Sequence, residues 1–256
     1  MVSQLQIGDQ FIEAQELVTI LAGCQVLPNL LKELIVERAI APIPCTKEEV
    51  TAACQKFFQQ HQITSAESHE AWLQRYGMNH PQFQAMATRQ LRIAKFQEQT
   101  WGHKLESYFL QRKKFLDQAV YSLIRVADAG IAQELYFRIQ AGEQSFGELA
   151  KEYSLGMEAH TYGILGPVEL GALHPALAKQ LQVSKPGQLW HPTNLGEHFL
   201  IIRLEKLLPA QLDKFMRQRL LRELFETWLK EQVEKLGDAE KSWLVAKSQG
   251  VVQSVA

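Results

Sequence analysis

Few of the residue types that carry out covalent chemistry stand here at the spacings such chemistry needs. The eight histidines, at 61, 69, 80, 103, 160, 174, 191 and 198, are scattered without metal-ligand spacing. Cys24, Cys45 and Cys54 form no Cys-x-x-Cys pair, and their odd number argues against a disulfide framework. The chain has no phosphate-cradling glycine loop, no Gly-x-Ser-x-Gly elbow and no His-Glu-x-x-His. Metal and nucleotide chemistry are not indicated, and no cofactor is expected. By residue type alone, His198 reads as a polar strand-start residue satisfied by a backbone group. Leu165, Leu173 and Leu177 read as core, and Ser122 as a small strand residue.

The elements that would position these residues can be read from periodicity and capping. Residues 1–117 are mainly helical. A polar hairpin over Gln4–Ile12 comes first, with Gly8-Asp9 at its turn. Leu27, Leu30, Leu31, Leu34 and Ile35 recur at helical spacing. Thr46-Lys-Glu-Glu49 is a capping box ahead of Val50, Ala53, Cys54, Phe57 and Phe58. Thr64-Ser-Ala-Glu67 opens a helix that carries Trp72 and ends near Gly77. Asn79 and Pro81 start a longer one through about Gln99, and another runs from about Trp101 to Leu116.

Residues 118–207 change character. Gln118–Val126 is rich in β-formers and predicts a strand. Asp128 caps a helix to Gly142, and Ser145-Phe-Gly-Glu148 boxes the start of another. A glycine-bearing loop over Ser154–Gly171, a short helix over Pro175–Leu181 and a strand over His198–Leu204 follow. From Pro209 to about Leu236 the chain is helical, with Leu221, Leu224, Phe225, Trp228 and Leu229 in one stripe. The tail beyond Gly237 is expected to fray. A helix of that length cannot bury its stripe alone. The expected architecture is therefore α+β: a discontinuous helical domain built from 1–117 and 208–256, with 118–207 inserted as an α+β domain.

Charge narrows the partners. Lys and Arg total 27 against 28 Asp and Glu, a net charge of −1, which excludes a general nucleic-acid binder. The three segments carry net charges of 0, −2 and +1, so none sets up a strong field. No apolar run approaches the ~18 residues of a membrane helix, and no cation precedes Lys32 to form a secretory n-region. A soluble, cytoplasmic protein is the expectation, with no membrane insertion. Recognition is expected through apolar grooves.

The inserted segment resembles the parvulin (PpiC, rotamase) family of peptidyl-prolyl cis/trans isomerases. The resemblance rests on Ala132–Ser154, with its Gly-x-x-Phe-x-x-Leu-Ala pattern, then on Gly163-Ile-Leu-Gly166, Leu173-His-Pro-Ala-Leu177, Lys185-Pro-Gly187 and Gly196-Glu-His198-Phe199-Leu200-Ile201. The flanks, Trp72–Met78 with Phe83–Phe96 and the helix after Pro209, are similar to the helical chaperone domain of SurA-like and PrsA-like foldases. That implies a parvulin-like domain of four antiparallel strands with helices, set in a SurA-like helical domain.

The resemblance implies a prolyl pocket at Leu165, Leu173, Leu177 and Phe199. It implies a polar base of Ser122, Thr193 and His198, in which the Ser122 hydroxyl, able to donate and accept, can bond His198 across adjacent strands. Four positions depart from the family pattern, the first being Leu177, which stands for a phenylalanine and leaves a wider pocket. Ser122 stands for a histidine, Gly156 for a thiol or carboxylate, and Ile164 for an aspartate. The implied activity is isomerisation of X–Pro bonds in proline-containing or unfolded polypeptides, weakened by the lost polar groups. The alternative is a non-catalytic escort that keeps the fold as a peptide-docking module, serving a peptide export system.

Overall fold

The computed structural model describes residues 5–7, 10–12 and 14–236. The expected hairpin turn at Gly8-Asp9 and the tail beyond 236 lie outside them. The chain divides into two compact units. One comprises the chain up to His103 and from Gln218 onward; the other is Lys104–Arg217.

The first unit begins with an antiparallel ribbon of β1 (Leu5–Ile7) and β2 (Gln10–Ile12), in which Leu5 faces Ile12. Then come α1 (Ala14–Gly23), α2 (Leu27–Ile40), α3 (Lys47–Gln60), α4 (Ala66–Tyr76) and α5 (His80–Trp101). Thr46, Ser65 and Asn79 each close a capping box with the residue three positions on. The second box starts one residue later than the sequence predicts, because Ser68 rather than Glu67 reaches back to the cap. Helices α3, α4 and α5 enclose a ring cluster in which Phe83 meets Phe57 edge-on at 5.2 Å and stacks on Phe58 at 5.4 Å. Arg89 ties α5 to Glu33 and Glu37 of α2, and Lys95 bonds Glu49 at 2.5 Å.

The second unit holds α6 (Leu105–Leu116), β3 (Gln118–Val126), α7 (Ala129–Ala141), α8 (Phe146–Tyr153), β4 (Ile164–Glu169), α9 (Pro175–Val183), β5 (Thr193–Leu195) and β6 (His198–Leu208). The strands form one antiparallel sheet in the order β4-β3-β6-β5. Strand β4 lies inside what the sequence reads as a loop. Its Gly-Pro pair and exposed residues mask the β signal, and pairing with β3 supplies what local propensity lacks. Gly166 has a φ of 106°, and a Cβ there would strike the Ala119 carbonyl oxygen, so only glycine fits.

The central pair β3–β6 is covered on both faces. On one face Tyr121, Leu123, Leu200, Ile202 and Leu204 pack on Leu177 and Leu181 of α9. On the other, Ile124, Val126 and Ile201 pack on α7 and α8 through Leu135, Tyr136, Phe146 and Leu149. Burial on both sides explains the near-continuous apolar reading of these strands. Helices α7 and α8 start where their caps dictate: Asp128 Oδ1 accepts from Ile131 N at 2.8 Å, and Ser145 closes a box with Glu148.

After β6 the chain forms α10 (Lys214–Lys235). It starts later than Pro209 because Asp213 Oδ1 accepts from Met216 N, fixing the first turn there. Phe225 and Trp228 meet Phe96 and Trp101 of the first unit: Phe96 to Trp228 is 5.2 Å, and Trp101 to Phe225 is 6.3 Å. The helical body is thus discontinuous in sequence, joined by rings from both ends of the chain. Among the described residues, no helix is long and apolar enough to cross a membrane.

Candidate functional site

Residues directly opposite each other in an antiparallel sheet share a face, and alternate residues along a strand do too. The register therefore sorts the site residues. Arg125 lies opposite Leu200, and Leu200 lies opposite Thr193, so these three form one row across β3, β6 and β5 on the α9 face. One step along β6, about 6.6–7 Å away, His198 faces Leu195 on the same side. One step the other way, Leu123 faces Ile202, and the next row holds Tyr121, Leu204 and Leu165. The α9 face thus has a polar end and an apolar floor.

Leu165, Leu173 and Leu177 come together there. Thr193 is tied to α9: Gln180 Nε2 donates to its Oγ1 at 2.9 Å. The floor is closely filled, with Tyr121, Leu123, Leu177 and Leu200 only 4%, 3%, 7% and 5% exposed. Leu165 and Leu173 are half-buried and form its accessible edge. Leu173 also lines an adjoining pocket of about 240 Å³ with Phe115, Leu170, Pro175 and Ala178.

Two implied residues stand elsewhere. Phe199 faces Val126 and packs with the α7–α8 cluster, on the side of the sheet away from the three leucines. Ser122 also turns to that side. It lies opposite Arg203, and its Oγ donates to Glu205 Oε1 at 2.5 Å. Arg203 Nε donates to the same oxygen at 2.7 Å, and its guanidinium lies over Phe146. The expected Ser122–His198 bond is not formed, because the two residues occupy opposite faces and His198 pairs five residues before Arg203 on β6. Leu123, the β3 neighbour of Ser122, lies on the leucine side.

The structure adds polar residues that sequence reasoning missed. Glu158, in a single 3-10 turn over Met157–Thr161, is 3% exposed. Its Oε1 accepts from Ser154 Oγ at 2.9 Å and lies 3.4 Å from Arg125 Nε. Ser154 Oγ in turn accepts from Arg125 N at 3.0 Å, and Leu155 N donates to Arg125 O at 2.9 Å, so Arg125 is gripped on both backbone sides. A Cβ at Gly156 would stand 2.5 Å from Glu158 Oε1 and 2.6 Å from its Cδ. The carboxylate is housed in the space beside that glycine. Burial pushes the Tyr121 phenol above its ordinary pKa; the Glu158 anion adds to the rise and Arg125 opposes it. The available sequence signal was the carboxylate two residues after Gly156, in Gly156-Met-Glu158.

Residues 125–206 match the family model of the PPIC-type peptidyl-prolyl isomerase (rotamase) domain. That span contains Arg125, Glu158, the three leucines, Thr193 and His198, and leaves out Ser122. No curated protein matches the chain. Solved structures do. The peptidylprolyl isomerase PrsA of Bacillus anthracis is 20% identical, covering 89% of this chain and 99% of its own, with a TM-score of 0.41. PrsA of Bacillus cereus is 18% identical over 98% of this chain and 93% of its own, with a TM-score of 0.48. The parvulin domain of PpiD from E. coli is 26% identical over 38% of this chain and 95% of its own, with a TM-score of 0.34.

Proposed function

We propose, on the premise that residues 125–206 form a parvulin-type domain, that this chain is a foldase accelerating cis/trans isomerisation of X–Pro bonds in unfolded or proline-containing polypeptides. The observation that carries the reading is the family match over 125–206, which includes most of the residues that build the α9 face. The flanking helical body, held by Phe96, Trp101, Phe225 and Trp228, is read as the chaperone part.

The reaction makes and breaks no covalent bond. Its barrier is the ~18–20 kcal/mol of amide conjugation, and catalysis requires tighter binding of the twisted amide than of either planar form. An apolar floor favours the twisted state, which has less charge separation. Leu165 and Leu173 are the edge against which a pyrrolidine ring rests, with Leu177 beneath. Thr193 and His198 supply polar contacts at the rim. Ser122 and Phe199 support the sheet from behind. With leucine at 123 and glycine at 156, the polar site is sparse, and the rate is expected to be modest. The three free thiols, Cys24, Cys45 and Cys54, support a reducing, cytoplasmic location.

The test is NMR exchange or a protease-coupled assay on a short X–Pro peptide. Acceleration over the uncatalysed rate, reduced by Leu165→Arg, is expected. No rate above background at high protein concentration rejects the enzyme.

A further inference from the structure

We propose that Arg125, pinned by the buried carboxylate of Glu158, is a specificity-determining residue that selects polypeptides with an acidic side chain next to the proline. The inference rests on the isomerase reading and deepens it.

Glu158 is the most deeply buried charged residue described, and the site geometry does not otherwise account for it. An anion kept out of water is costly unless a cation and hydrogen bonds answer it. Ser154 supplies the hydrogen bond and Arg125 the cation. The pair is asymmetric. The Glu158 side chain is 4% exposed and that of Arg125 is 39% exposed. Arg125 Nε is shut off from solvent and lies 3.4 Å from the carboxylate, an ion-pair distance without a hydrogen bond. The reachable part of the guanidinium is therefore the Nη fork, which matches a carboxylate in geometry. A ligand meets the positive end of a buried dipole.

Position sets the use. Arg125 shares its row with Leu200 and Thr193, one step from His198 and one step from Leu123. It thus borders the apolar floor where a ring would sit. Leu155, whose N donates to Arg125 O, and Met157 beside Glu158 are 62% and 78% exposed, so apolar side chains on neighbouring positions are open to a ligand. A carboxylate reaching the guanidinium would make a charge-assisted bond that is partly screened by water and salt. The backbone bonds on both sides of Arg125 hold its Cα in place, which lowers the entropy lost when a ligand is gripped.

The experiment compares peptides with Glu, Ala or Lys on either flank of one proline. Both binding, by NMR shift titration, and isomerisation, by exchange spectroscopy, are measured. At low salt the Glu peptides are expected to be favoured over the Lys peptides by roughly five- to ten-fold. The preference should shrink on raising salt, fall to near unity in Arg125→Met and survive in part in Arg125→Lys. A merely structural Arg125 would lower rates for all peptides alike and leave the ratio unchanged. Equal treatment of Glu and Lys peptides by the unmodified protein overturns the inference and leaves the isomerase reading standing. Selective binding of Glu peptides without acceleration upholds the inference and rejects the isomerase. Neither binding nor acceleration rejects both.

Discussion

The carboxylate of Glu158 fills the space that a side chain at Gly156 would need, its Cδ 2.6 Å from where a Cβ would stand. A flexible glutamate could ordinarily swing aside. This one is buried and held by Ser154 and Arg125, so moving it breaks both contacts. Gly156→Ala should destabilise the domain by about 1–3 kcal/mol through overpacking. Glu158→Ala in the same chain should relieve part of that cost. Urea unfolding of the two single variants and the double variant measures the coupling, and simple additivity would show that the residues do not compete for space.

Restoring a histidine at position 122 should not help. Ser122 is 1% exposed on the α7–α8 face and donates to Glu205. Ser122→His loses that bond and forces a ring into a filled layer, costing about 1–3 kcal/mol, with no gain in isomerase rate. Leu123→His places the imidazole on the leucine face instead. Exchange spectroscopy on both variants separates the two positions. A rate gain in Ser122→His would contradict the register described.

The three leucines should separate by burial. Leu177 is 7% exposed in the floor, so Leu177→Ala should cost about 2–5 kcal/mol of stability. Leu165, half-buried at the edge, should tolerate alanine with a smaller loss and a raised KM. Thermal unfolding and kinetics on the two variants test this. Equal destabilisation would mean that Leu165 is core and forms no ring contact.

Alkaline pH should weaken the second unit through Tyr121. Its phenol pKa is raised in the folded state, chiefly by burial, so the folded form holds its proton more tightly than the unfolded form. The contribution to stability is complete below the ordinary value of 10.0 and is lost as pH climbs through the raised one. Tyr121→Phe should flatten the fall in stability above about pH 10. Urea midpoints from pH 8 to 11 give the comparison. Parallel curves for the two proteins would remove Tyr121 as the source.

Much of this protein is legible along the chain. Capping boxes at Thr46 and Ser145, and the Asn79 cap ahead of Pro81, announce helices because the hydrogen bonds involved span only three residues. The strand at Gln118–Val126 and the apolar stripe of the last helix follow from periodicity, which is also local. The parvulin pattern could be read for the same reason: it lies in short ordered motifs.

The site was less legible, because the face on which a strand residue lies depends on its partner. A change of one residue in register sends every side chain to the other side. Leu123 rather than Ser122 joins the leucines, and Phe199 leaves them, for this reason alone. Strand β4 emerges only when β3 is there to pair with it. The meeting of Glu158 with Arg125, thirty-three positions apart, needs the chain to return over the sheet after α8. No local interaction encodes that return; packing of two separately formed elements does.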